Sequence, residues 1–199
     1  AAVAKAMFFK QKQQRSSEFL PPPLQRVIGI SAVLRSRDGL HIFSLGDEQS
    51  SEKELVQRFF DGLERYQPVL VSWNGSGFDL PVLHYRALKH AVNAQRYWEV
   101  GETDKDYRYN NYLSRFHWRH VDLMDVLSGF QSFGRGSLET VAQLLELPGK
   151  LGLSGDRVWA TYLAGDIKAI RNYCEIDVLN TYLIFLRFEL IRGELEPAQ

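Results

Sequence analysis

The stretch that most constrains this chain runs from Val69 to Leu83, VLVSWNGSGFDLPVL. Val69, Leu70, Val71 and Trp73 form a short apolar run of strand formers that opens after Pro68. Asn74-Gly75-Ser76-Gly77 breaks the run. Phe78-Asp79-Leu80-Pro81 then opens a helix. Asp79 is expected to accept from first-turn amides, and Pro81 is tolerated because those amides lack an intrahelical partner. An Asn, an aromatic ring and a carboxylate therefore gather just past the carboxyl end of a strand, the rim where open α/β sheets bind ligands.

The flanking sequence supplies the other layers. Val27–Leu34 reads as a buried strand, Arg35–Gly39 as a turn with an Asp-Gly signal, and Leu40–Leu45 as the returning strand of an antiparallel hairpin. Ser51–Tyr66 has Leu55, Phe59, Phe60 and Leu63 at helical spacing and Glu52 and Glu54 in its first turn. A helix follows the Val69 strand to about Ala94. Trp118–Leu123 reads as a strand with Asp122 near its end, and Met124–Phe130 as a short helix. Ser137 caps a helix closed by Pro148-Gly149-Lys150. Asp156–Leu163 is a helical piece, and Asp166 to about Arg192 is a long final helix. Strands and helices in this order predict an α/β domain with a mixed sheet spanning residues 1–199.

Two segments stand apart from that pattern. Residues 1–23 form an arm in which Lys5, Lys10, Lys12 and Arg15 suit either solvent or a phosphate backbone, ending in Pro21-Pro22-Pro23, which reads as extended. Residues 95–116 are polar and aromatic-rich, and read as a loop or insertion. Tyr97, Trp98, Tyr107, Tyr109 and Tyr112 interleave there with Arg96, Lys105, Arg108 and Arg115. Such rings either stack on unpaired bases or pack down as local cover.

With 24 basic and 24 acidic side chains, the chain has no bulk field to draw in nucleic acid, so any such binding needs a local patch. A single cysteine, Cys174, excludes an intrachain disulfide and points to a cytoplasmic setting. No apolar run reaches the roughly 20 residues that span a bilayer, so no membrane partner is expected. His84, His90, His117 and His120 match no metal-ligand spacing and are expected to be exposed or satisfied in the core.

A second carboxylate lies in the final helix. In Tyr173-Cys174-Glu175-Ile176-Asp177, the tyrosine and the last aspartate share one face, which continues through Thr181, Ile184 and Phe188. A carboxylate on an apolar stripe requires compensation, because an unpaired buried charge costs several kcal/mol. A core ion pair or a helix cap would provide it. So would a divalent cation shared with another carboxylate. Asp79 and Asp177 together can serve two metals about 4 Å apart that clamp the attacking and leaving oxygens of a phosphodiester. Tyr173 would then orient the attacking water, Asn74 would touch the substrate backbone, and Phe78 would stack near the terminal base.

These residues resemble a known family. Asn74-Gly75-Ser76-Gly77-Phe78-Asp79 is similar to the second exonuclease motif of the proofreading 3′–5′ exonuclease domains of family B DNA polymerases, and Tyr173–Asp177 to their third. The nearest likeness is to stand-alone bacterial proteins described as predicted 3′–5′ exonucleases related to that domain. It extends to FLPPP, SLETVAQLLELPGK and YCEIDVLNTYLIFLRFELIRGEL. The resemblance implies a ribonuclease H-like fold, four acidic ligands, Mg²⁺ or Mn²⁺, and a nucleic-acid substrate with a single-stranded 3′ end. It implies Asp79 and Asp177 as metal ligands and Tyr173 as the water-orienting residue, with Asp122 behind them and Lys150 as a phosphate contact. Asn172 stands where the histidine-type subclass carries its base, which favours the tyrosine type.

One departure matters. The family's first motif, an Asp-x-Glu on a central strand, supplies two of the four ligands. No Asp-x-Glu follows an apolar run before Val27; Glu18 has no strand before it, and Asp47-Glu48 lies in a turn beyond the hairpin. The expectation is that this chain is a truncated or incomplete form of an exonuclease, with little or no activity. Two other readings stand beside it, a non-catalytic nucleic-acid-binding module and a structural domain.

Overall fold

The computed structural model describes residues 9–10, 20–149 and 153–196. Lys150 and, in the arm, Lys5, Lys12 and Arg15 lie outside the described residues. The chain forms the hairpin β1 (Ser31–Ser36) and β2 (Gly39–Ser44), then α1 (Glu52–Tyr66), β3 (Leu70–Ser72) and α2 (Asp79–His90). A single turn, α3 (Gln95–Trp98), leads to β4 (His120–Asp122) and α4 (Leu123–Leu127). Helices α5 (Leu138–Leu144), α6 (Val158–Leu163) and α7 (Ile167–Arg192) complete it.

This is a mixed α/β architecture of small sheets flanked by helices, consistent with a ribonuclease H-like fold. The hairpin supplies the antiparallel pairing, from Ser31 opposite Ser44 to Ser36 opposite Gly39. β3 and β4 are parallel, with Leu70 opposite His120 and Ser72 opposite Asp122. A parallel pair needs a long crossover, and α2 with residues 91–119 provides it. Among the described residues the two ladders do not join. Both pack on α7, which also contacts α5 and α6.

The hairpin is shifted from its expected bounds. The expected strand at Val27 begins only at Ser31; beyond it the Leu45 amide still donates to the Ile30 carbonyl at 2.8 Å, and the chain then turns at Gly46 (φ +60°). The Val27 amide instead donates to Glu52. Pro21-Pro22-Pro23 is likewise not simply extended. Pro22–Leu24 is a 3-10 turn closed by bonds from Leu24 to the Pro21 carbonyl (2.9 Å) and from Gln25 to that of Pro22 (3.1 Å). Proline's fixed φ suits either geometry.

α1 forms as its sequence predicts. The Ser51 hydroxyl accepts from the Glu54 amide at 3.2 Å, and Leu55, Val56, Phe60 and Leu63 are buried. Fully burying each such side chain contributes about 1.5–3 kcal/mol. The partner surface comes from an unexpected quarter. Tyr97, Tyr107 and Tyr112 are buried in the same core as Val56, Phe60, Leu80 and Leu83. Tyr112 donates to the Pro68 carbonyl at 2.7 Å, and the Arg119 guanidinium lies 4.0 Å from the Tyr107 ring centre. These three rings are therefore core cover, which overturns a base-stacking role for them; Trp98 and Tyr109 stay exposed.

One polar cluster sits within this layer. The Glu52 carboxylate, 7% exposed, accepts from the Val27 amide at 2.8 Å and pairs with Arg86 and with His90 Nε2. Burial alone would raise its pKa, but the Arg86, His90 and Val27 contacts outweigh that and bring it from 4.5 to about 2. Because the folded value is depressed, the stabilisation is complete above pH about 4.5 and is lost as pH falls towards 2. Glu52→Gln is expected to destabilise the fold by about 3 kcal/mol, since it leaves Arg86 buried without its counter-charge. Urea unfolding at pH 7 and pH 3 will measure this, and the difference between variant and parent should shrink at the lower pH.

Candidate active site

β3 ends at Ser72, and the chain must turn sharply to start α2 at Asp79. Asn74 takes the left-handed conformation at φ +60°, and its carbonyl accepts from the Gly77 and Phe78 amides, both at 3.0 Å. Two glycines are required by close approach. A Cβ at Gly75 would lie 2.4 Å from Ser72 Oγ, and one at Gly77 would lie 2.4 Å from Asn74 Oδ1. Asp122, at the end of β4, holds this turn from across the ladder. Its Oδ1 accepts from the Asn74 amide and its Oδ2 from the Ser76 amide, both at 2.9 Å. Ser72 Oγ and His120 Nε2, 2.8 Å apart, tie the strands together one step back.

Asp79 is the first helical residue of α2, following Phe78, which is 37% exposed. Phe78 occupies the cap position without a side-chain bond, while the Asp79 carboxylate accepts from its own amide in the first turn. The Asp79 carboxyl opens to solvent on one side, yet surrounding protein raises its pKa to about 6. Loss of hydration is the main cause; the negative charges of Asp122 and Asp177 add to it, and its own backbone amide opposes.

α7 brings the other half. Asp166 caps it by accepting from the Ala169 amide at 2.9 Å, and Gly193 closes it at φ +76°. Arg171 fastens it to the hairpin by donating to the Ser44, Leu45 and Gly46 carbonyls at 3.3, 3.0 and 2.9 Å. Ile184 and Phe188 on the same helix are buried against Val121 and Leu123. Tyr173 and Asp177 are half-buried, one turn apart, and hydrogen-bonded to each other. Burial first, then the Asp177 carboxylate, raises the Tyr173 phenol above its usual range. The Cys174 thiol is pushed up to about 11, mainly by burial and then by Asp177 and Asp79.

The structure thus brings Asp79, Asp122 and Asp177 within electrostatic reach of one another, with Tyr173 on Asp177 and Asn74 and Phe78 on the adjoining turn. The three carboxylates are not equivalent. Asp122 is committed to two amides, whereas the Asp177 carboxylate acts on Asp79 as a like charge. A divalent cation between those two would cancel the repulsion that helps to keep Asp79 near 6, so their chemistry fits one. Among the described residues no group of three or more His, Cys, Asp or Glu is arranged to hold a metal ion. Three of the histidines are hydrogen-bonded: His90 meets Glu52, His117 Nδ1 accepts from the Asn111 amide, and His120 meets Ser72. His84 packs on Tyr97 and Trp98 with its buried Nε2 unbonded among the described residues, unlike the expectation for it.

The sequence reading missed Asn180, which is 2% exposed on α7 and bonded to Gly149. Its helical spacing from Tyr173 and Asp177 was the available signal. Replacing Asp177 by Asn removes one like charge, so the Asp79 pKa should fall below about 6. Carboxyl ¹³C NMR titration will read this directly, and an unchanged value would separate the two residues.

Residues 17–199 match the family described as predicted 3′–5′ exonucleases related to the exonuclease domain of PolB. A DNA polymerase of Archaeoglobus fulgidus is 25% identical over 172 residues, which is 85% of this chain and 21% of that protein. DNA polymerase 1 of Sulfurisphaera ohwakuensis is 51% identical over 39 residues, 20% of this chain and 4% of the polymerase. DNA polymerase 1 of Saccharolobus solfataricus is 50% identical over 40 residues. The chain therefore spans about a fifth or less of the length of these relatives.

Proposed function

This chain belongs to the family of predicted 3′–5′ exonucleases related to the PolB exonuclease domain, and from that premise we propose that it is a metal-dependent 3′–5′ exonuclease acting on single-stranded nucleic-acid ends. The observation that supports this most is the meeting of Asp79, from the β3–α2 turn, with Asp177 and its hydrogen-bonded Tyr173 on α7.

In this reading Asp79 and Asp177 hold Mg²⁺ or Mn²⁺, which supplies charge neutralisation at the phosphodiester and at the attacking oxygen. Tyr173 keeps its proton at neutral pH, because burial and Asp177 both disfavour the phenolate. It therefore orients the attacking water by hydrogen bonding rather than by removing a proton. The water oxygen forms the new P–O bond while the bond to the 3′ oxygen of the penultimate nucleotide breaks; the water gives up one proton to solvent, the 3′ oxygen takes one up from solvent, and a nucleoside 5′-monophosphate is released. Asn74 contacts the substrate backbone, and the exposed ring of Phe78 stacks on the terminal base. Lys150 is the proposed phosphate contact.

Two carboxylates bind a divalent cation more weakly than four, with water completing the shell. Residues 1–199 contain no Asp-x-Glu in a strand before the hairpin, so we propose slow cleavage that needs high Mn²⁺. The alternative of a non-catalytic binding module loses its main support with the burial of Tyr97, Tyr107 and Tyr112.

With end-labelled single-stranded DNA and Mn²⁺, Asp177→Asn should lower cleavage by about 100-fold or more while leaving DNA binding intact. Chelation by EDTA should abolish cleavage. Protons and the cation compete for Asp79, so activity at low Mn²⁺ should fall as the medium becomes acidic, and raising Mn²⁺ should move that fall to lower pH. Binding without cleavage at any Mn²⁺ concentration would favour the non-catalytic module instead.

A further inference from the structure

Tyr173, Asp177 and Asn180 lie at i, i+4 and i+7 on α7, one stripe of the helix. Asn180 is the innermost of the three, 2% exposed. Its Nδ2 donates to the Gly149 carbonyl and to the Ile176 carbonyl, both at 3.0 Å, and its Oδ1 accepts from the Gly149 amide at 3.3 Å. One side chain thus pairs with both backbone groups of a residue in the connection between α5 and α6. Gly149 sits at φ +61°, and a Cβ there would lie 3.1 Å from Glu139 Oε1. The held position accordingly demands glycine. A buried carboxamide left half-satisfied costs about 1–3 kcal/mol, so these bonds form or break together.

The far end of the same connection comes back to α7. Gly155 opens the 3-10 turn Gly155–Arg157, and a Cβ built on it would lie 4.0 Å from the Tyr173 hydroxyl. Asp156, whose carboxylate accepts from Ser154 Oγ, acts electrostatically on that phenol. Gly149 precedes Gly155 by six residues in the chain, so fixing the position of Gly149 limits where Gly155 can lie.

We propose that Asn180 is a positioning residue of the site: by clamping Gly149 it holds the chain six residues before Gly155, so that the Gly155–Arg157 turn stays beside the Tyr173 hydroxyl and keeps it turned toward Asp177. The catalytic part of this inference rests on the exonuclease reading; the clamp itself does not.

The test compares Asn180→Ala, Gly149→Ala and their double variant with Ile184→Ala, a buried α7 position one turn beyond Asn180 that packs with Val121, Leu123 and Phe188. Tyr173 is observed through its ring ¹³Cζ resonance, assigned with Tyr173→Phe, and cleavage is measured in single turnovers at saturating DNA. Asn180→Ala should shift the Tyr173 resonance and slow the chemical step by about tenfold or more, with half-saturation changed less than about twofold. Gly149→Ala should do the same, and the double variant should add little, as expected for two residues of one clamp. Ile184→Ala should leave the resonance in place and the rate within about twofold, measured well below its unfolding transition. An unmoved Tyr173 resonance in Asn180→Ala would overturn the proposal, as would an equal rate loss in Ile184→Ala. Absence of cleavage by the parent chain would refute the exonuclease reading, while the resonance would still decide whether the clamp reaches the hydroxyl.

Discussion

The candidate site depends on the two hydrogen bonds that Asp122 accepts from the Asn74 and Ser76 amides. They join the ends of β3 and β4 at the point where the chain leaves the sheet. Without them the Asn74–Gly77 turn would have to find other partners for two amides, and an unmet amide costs about 1–3 kcal/mol. The same bonds place a negative charge beside Asp79, which is part of why that carboxyl is hard to ionise. A single carboxylate therefore both builds the turn and tunes the acid that the turn presents.

The surrounding layers keep this arrangement in register. Glu52 links the chain at Val27, α1 and the end of α2 through Arg86 and His90. Arg171 performs the equivalent task between α7 and the end of the hairpin. Tyr97, Tyr107 and Tyr112 fill the space beside α1 and α2, and Tyr112 ties that cover to the carbonyl before β3. Each is a polar or aromatic residue that fastens separate elements at one end of a strand or helix. The cost of burying its polar atoms is offset by the bonds it makes to those elements.

Much of the local structure was legible in the chain itself. The Ser51, Ser137 and Asp166 caps, the turn after β3 and the long final helix follow from short-range chemistry that needs no tertiary partner. The two acidic motifs were legible for the same reason, since their spacing encodes a strand end and one helix face. The reading of residues 95–116 left two roles open for Tyr97, Tyr107 and Tyr112, because aromatic and basic interleaving looks alike whether the rings meet bases or pack against Phe60 and Arg119; their burial decides for local cover. Asp79 accepts from its own first-turn amide, but a carboxylate at a helix start can serve its own amides or a shared charged site. Only its neighbours decide between the two.

The amino-acid order by itself determined the elements, their caps and the presence of two carboxylate-bearing motifs, because those depend on residues within a turn or two of each other. Whether Asp79 and Asp177 come within electrostatic reach of one another, which carboxylate is consumed by backbone amides, and which face of α7 receives Gly149 were decided only in the folded molecule. Electrostatic repulsion and buried hydrogen bonds act through space, and no spacing along the chain records which distant groups the packing of β3, β4 and α7 brings together.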